Sequence, residues 1–84
     1  MQVFLHRVAD KYIERLNEPN KGYIVTALAG LEDEPPKGDI IPLAGQHRIF
    51  RLKIKKYRII FQHRGDHILV TDIVPRGQAY KKNM

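Results

Sequence analysis

The sequence predicts an α+β domain, an N-terminal helical hairpin packed on a small antiparallel β-sheet, in one unit spanning residues 1–84. Three observations carry this. The apolar period is helical before about Gln46 and two-residue after it. Pro and Gly clusters fall between the periodic segments. The charge divides at the same place: Gly45 to Met84 hold ten Lys/Arg and two Asp/Glu, a net +8, whereas the first 44 residues carry a net −2. A basic, strand-like half ending in Pro75-Arg76-Gly77-Gln78-Ala79-Tyr80-Lys81-Lys82 has the makings of a phosphate-gripping surface.

Taken in order, Val3 and Leu5 alternate with their neighbours and predict a short opening strand. Val8, Ala9, Tyr12, Ile13 and Leu16 form one apolar helical stripe, with Lys11, Glu14 and Arg15 opposite. Pro19 blocks continuation of that helix, and Asn20 is predicted to be the N-cap of the next. The second helix carries Ile24, Ala27, Leu28 and Leu31 and stops at Pro35-Pro36-Lys37-Gly38. A loop is expected from there to Gln46. Phe50, Leu52 and Ile54 then alternate with Arg51, Lys53 and Lys55, the pattern of a half-buried strand. Tyr57 to His63 and His67 to Val74 are two more strands, separated by the hairpin turn Arg64-Gly65-Asp66.

Register follows if Lys55-Lys56 is a two-residue loop. Ile54 then faces Tyr57, Lys53 faces Arg58 and Leu52 faces Ile59. Directly opposed residues share a sheet face, so Arg51, Lys53 and Arg58 gather on the side away from Leu52, Ile54 and Ile59. Three cations on one face repel unless an anion sits among them. Lys-Lys is a poor type I′ turn, because both positions then require φ > 0. The plainer reading of alternating Lys/Arg is a solvated or edge-protected face.

Composition removes several kinds of chemistry. The chain has no Cys and no Ser, so the commonest covalent nucleophiles are missing, and only Thr26 and Thr71 carry an aliphatic hydroxyl. No apolar run reaches the roughly 20 residues that span a bilayer, and the N-terminus lacks a signal peptide's apolar stretch. A soluble cytoplasmic protein without membrane association is expected. His63 and His67 are four apart on a hairpin rather than a helix, so helical metal-ligand spacing does not apply. Tyr57 reads as core, Gly65 as a turn residue and Glu32-Asp33-Glu34 as a solvated helix end.

A helix pair, then Phe50-Arg51-Leu52-Lys53, Tyr57-Arg58-Ile59-Ile60-Phe61, a third strand and the Arg76/Tyr80 tail resemble the RelE/ParE superfamily of toxins from type II toxin–antitoxin systems. The ending is similar to that of archaeal RelE-like mRNA interferases. The resemblance covers essentially the whole chain and implies a microbial-RNase-like fold. It also implies a ribosome-dependent mRNA endoribonuclease that uses no metal or other cofactor. The implied partners are the ribosome with its mRNA and a RelB-like antitoxin, expected to be acidic and partly disordered until bound. Two positions depart from the family pattern: Lys55-Lys56 stand where a Gly-containing turn is usual, and Val74 stands where the best-known RelE has a functional arginine.

On that resemblance, Lys53, Arg58, Arg76 and Tyr80 are the catalytic candidates. Arg51, Lys55, Lys56, Lys81 and Lys82 are the RNA-binding ones. Lys53 would serve as general base or phosphate ligand, and Arg58 would clamp the scissile phosphate with help from Arg51. Arg76 would stabilise the transition state, and Tyr80 would stack on or orient a base. Arg76 could instead hold a carboxylate such as Asp72, and Tyr80 could simply pack the tail. Two other functions remain open: a ParE-like toxin that poisons DNA gyrase through protein contact, and a non-catalytic RNA- or ribosome-binding module on the same fold.

Overall fold

The computed structural model describes residues 1–45 and 47–75. The chain runs β1 (Gln2–Leu5), α1 (Arg7–Glu14), α2 (Asn20–Leu31), β2 (Asp39–Pro42), β3 (Ile49–Ile54), β4 (Tyr57–Arg64) and β5 (His67–Pro75). The strands form one sheet in the order β1-β5-β4-β3-β2. The α+β class and the antiparallel meander β3-β4-β5 are as the sequence predicts. The sheet as a whole is mixed, because β1 pairs parallel with β5. The connection between β1 and β5 holds both helices and the other three strands, ample for the long crossover that a parallel pairing requires.

The helices follow their apolar stripes with two corrections. Ala9 and Ile13 of α1 are buried and Leu16 packs against the core, but Val8 is 53% exposed and lies off the stripe. The start of α2 is not capped by Asn20, which is its first helical residue. The preceding Pro19 already has helical dihedrals, and the Glu18 carboxylate accepts the Gly22 N–H at 3.0 Å. A negative group there also suits the positive end of the helix. His6 has an unforeseen part: its Nδ1 accepts the Val8 N–H at 3.1 Å and caps α1.

The expected loop before Gln46 contains β2. Its Asp-Ile-Ile-Pro is too short to show a period, and its Pro42 fits an edge strand. Tertiary contacts place it. The Lys37 N–H bonds to the Gly30 carbonyl at 2.9 Å, and a Cβ on Gly30 would lie 2.9 Å from the Lys37 oxygen, so only glycine allows this return. Gly38, at φ +139°, crosses over Leu52, and a Cβ there would meet Leu52 Cδ1 at 2.9 Å.

The core lies between the helices and one sheet face. Ala9, Ile13, Ile24 and Leu31 meet Leu52, Tyr57, Ile59, Phe61, Ile68, Val70 and Ile73. Tyr57 is core, as predicted, with its ring edge-on to Tyr12 at 6.3 Å. A bulge interrupts the β4–β5 ladder: Ile60 pairs with Asp72 and Phe61 with Val70, leaving Thr71 as the extra residue. The Thr71 hydroxyl donates to the Ile60 carbonyl at 3.3 Å.

Candidate nucleic-acid interface

The register predicted for the first hairpin is present: Ile54 pairs with Tyr57, Lys53 with Arg58 and Leu52 with Ile59. Leu52, Tyr57, Ile59 and Phe61 are buried beneath the helices, which turns the alternate residues of β3 and β4 to the other, outer face. Arg51, Lys53 and Arg58 therefore share that face. Lys53 and Arg58 are directly opposed, with Cβ atoms about 5 Å apart in this geometry.

Arg58 is the unusual member of the group. It is only 9% exposed and is the one buried charged residue among those described. Its Nη1 donates to the Tyr57 carbonyl at 3.1 Å, and it makes no ion pair among the described residues. A guanidinium drawn out of water without a carboxylate favours an incoming anion. Lys53 beside it is exposed and likewise has no ion pair among the described residues.

Arg51 is differently placed. Its Nη1 lies 3.5 Å from the Asp39 carboxylate and donates to the Asp39 carbonyl at 3.1 Å. The anion needed among the cations is thus partly supplied by β2, the strand that sequence periodicity missed. Asp39 is opposite Lys53 in the ladder, but its carboxylate pairs with Arg51. Its carboxyl side is well exposed, which leaves the pair weak and exchangeable.

The turn lysines do not join this face. Lys55, at φ +54°, makes the tight turn as a non-glycine residue, and it is the only one of the turn pair with positive φ. Its Nζ sits 4.8 Å from the centre of the Tyr23 ring on α2, and Lys56 Nζ sits 5.7 Å from that of Tyr57. Both cations lean toward aromatic rings on the helix side. Arg76, Tyr80, Lys81 and Lys82 lie outside the described residues.

Two further surfaces went unseen in the sequence. One is an apolar cleft lined by Val3, Leu5, Val25, Leu28 and Ala29, with Glu32 at its rim. Val25 is exposed there because it sits just off the apolar stripe of α2, and Leu5 because β1 is an edge strand. The other is a cleft of about 490 Å³ at the far end of the β3–β4 pair, lined by His47, Arg48, Gln62 and Arg64 among others. Tyr12, near the opposite end, has its phenol pKa pushed up by burial and then by Tyr57 and the Asp72 charge. No group of three or more metal-ligating side chains occurs among the described residues, and no helix among them is long and apolar enough to cross a membrane.

This arrangement has known counterparts. The family model described as the ParE toxin of the type II toxin–antitoxin system, parDE, matches residues 3–80. No curated protein matches the chain. The archaeal RelE–RelB complex from Pyrococcus horikoshii is similar at 26% identity and a TM-score of 0.76, over 93% of this chain and 97% of that one. The RelB–RelE antitoxin–toxin complex from Methanococcus jannaschii is similar at 18% identity and a TM-score of 0.77, over 96% and 99%. The isolated E. coli RelE toxin shares the fold at 14% identity and a TM-score of 0.77, over 94% and 87%. With a family match that runs almost from end to end and a RelE-type fold beneath it, this chain belongs to the ParE toxin family of the RelE/ParE superfamily and is a toxin of a type II toxin–antitoxin system.

Proposed function

We propose that this toxin is a ribosome-dependent, metal-independent mRNA endoribonuclease, working as one 1–84 domain in the cytoplasm. The observation that carries the reading is Arg58: a buried guanidinium directly opposite Lys53, neither with a carboxylate partner among the described residues. In the reaction the 2′-OH loses its proton and its oxygen bonds to the adjacent phosphorus. The P–O5′ bond then breaks, and the 5′ oxygen takes up a proton. The products are a 2′,3′-cyclic phosphate and a 5′-OH. Lys53 accepts the first proton or binds the phosphate. Arg58 holds the phosphoryl oxygens as their charge grows, and Arg51 swings from Asp39 to assist. Arg76 stabilises the transition state and supports the leaving oxygen, and Tyr80 stacks on a base. Lys81 and Lys82 contact the RNA backbone more loosely, and Lys55 and Lys56 reach it from the turn by leaving the Tyr23 and Tyr57 rings. A ribosome holding the message in place compensates for a weak proton-transfer set by positioning the substrate.

The partner in this reading is a RelB-like antitoxin, in line with the RelE–RelB complexes among the structural relatives. The exposed apolar cleft between β1 and α2 suits one part of such a segment, and the basic outer face suits its acidic part. A second reading draws on the matching family itself, described as the ParE toxin: protein contact with DNA gyrase. The two separate in cells by in-frame breaks in translated mRNA for the first and arrested supercoiling for the second. Comparison of wild type with Arg58→Ala and Arg76→Ala tests the site. If both variants cut translated mRNA as fast as wild type, the site is wrong.

A further inference from the structure

We infer that the outer sheet face carries a second phosphate-binding subsite, formed by Arg48, Arg64 and His47 at the end of β4 opposite Arg58. There it would hold a single-stranded RNA laid along the sheet. The inference rests on the RNA reading above and extends it from a point to a track. Ladder register is the first argument. Gln62 and Arg64 follow Arg58 and Ile60 at two-residue steps on a strand that stays in phase with β3. They are therefore on the same face as Lys53 and Arg58. Six residues of strand separate Arg58 from Arg64, about 20 Å, a span of several nucleotides.

The side chains at that end fit a backbone ligand. Arg64 Nε donates to Gln62 Oε1 at 2.8 Å, which fixes the guanidinium plane while leaving its terminal nitrogens for another acceptor. Arg48, held at φ +62°, flanks the same cleft together with His47 and the helix-side His63, so the cleft opens at the end of the sheet, where Arg48 and Arg64 meet. Neither arginine makes an ion pair among the described residues, and no carboxylate lines the cleft. Asp66 is the nearby acid in sequence, and its carboxylate is engaged with the His67 ring at 3.2 Å.

The same end also offers stacking surface. The ladder aligns Phe4 with Leu69 and Leu69 with Gln62, so Phe4 lies on the outer face level with Gln62, two strands from it. It is 49% exposed, and its ring meets His67 edge-on at 5.5 Å. Between the two cationic ends the face presents the half-buried Ile60 and Leu69, and Asp72 opposite Ile60, whose carboxylate accepts the Ile73 N–H at 3.0 Å. Cations spaced along a groove, with an aromatic ring beside them, are what an unstacked strand uses.

The test uses fluorescence anisotropy with uncleavable 2′-O-methyl RNA: a dinucleotide, and an oligomer of about eight nucleotides, within the usual range for such grooves. The dinucleotide reaches one end only; the oligomer bridges both. The Arg48→Gln/Arg64→Gln variant is expected to lose about tenfold or more on the oligomer. Its salt dependence should fall by about 1.4 log units per log unit of salt, two phosphates' worth. Dinucleotide binding should hardly change. Arg58→Gln should weaken both ligands. Wild-type oligomer affinity and slope in the double variant overturn the subsite while leaving the Arg58 site intact. Loss in the double variant with none in Arg58→Gln keeps the subsite and sinks the catalytic placement. A wild-type protein that binds neither RNA, or that prefers a polyglutamate peptide of equal charge, overturns the inference.

Discussion

The two faces of the β3–β4 hairpin are built from alternate residues of the same strands, yet they do opposite things. The inner face, Leu52, Tyr57, Ile59 and Phe61, is apolar and closed under the helices. The outer face carries Arg51, Lys53 and Arg58, with the carboxylate of Asp39 at its edge and Asp72 opposite Ile60 in the ladder. The inner face can only be buried in one register, because a one-residue slip would turn every core side chain outward. The same constraint places Lys53 opposite Arg58 and keeps them there. Packing on one side thus fixes charge geometry on the other, and the stability gained by burial inside is what pre-organises the cations outside.

The comparison breaks most visibly at Phe61, which is fully buried and stacked on Phe50 at 5.6 Å between ring centres. Phe61→Ala should cost about 3–5 kcal/mol in urea unfolding. A loss below about 1 kcal/mol would mean that the inner face is not the core. Next comes Arg58→Met on the outer face. It should cut mRNA cleavage by about 100-fold or more, the scale of losing one transition-state donor. Stability in the same urea assay should stay level or rise, because an unpaired buried cation becomes an apolar side chain of similar reach. A large stability loss with unchanged cleavage would reverse the roles of the two faces.

Gly38→Ala probes the joint between them. A Cβ at φ +139° and 2.9 Å from Leu52 should cost about 2 kcal/mol in stability. It should also lower activity, since β2 carries Asp39 to Arg51. The smallest change is expected from Asp39→Asn: less than about 1 kcal/mol in stability, as for exposed ion pairs, and a few-fold effect on cleavage. An effect as large as that of Arg58→Met would make Asp39 a partner in the chemistry rather than a holder of Arg51.

Much of this contrast was legible in the sequence. Two-residue alternation from Phe50 to Lys55, and the β-branched run after Tyr57, were enough to predict the register and the shared face of Arg51, Lys53 and Arg58. Helix stripes were legible for the same reason, apart from Val8, whose place depends on how α1 leans against β5. What stayed hidden was set by tertiary contact. The four-residue β2 has no readable period, and its position depends on Gly30 and Gly38 letting the chain pass closely. Asp39 therefore could not be foreseen as the partner of Arg51. The lean of Lys55 and Lys56 toward Tyr23 and Tyr57 depends on the turn's dihedrals. Arg64 needed the ladder before its side of the sheet could be assigned, and Arg48 needed the cleft that brings it near. Arg76 and Tyr80 rest on the family pattern alone.

The most direct test of the central claim is mapping of mRNA 5′ ends by primer extension after induced expression, with wild type and Arg58→Met side by side at equal protein levels. The account predicts new in-frame breaks in translated messages with wild type, their near-complete loss in Arg58→Met, and normal DNA supercoiling in both. Growth arrest without mRNA breaks, or breaks that persist undiminished in Arg58→Met, would contradict it.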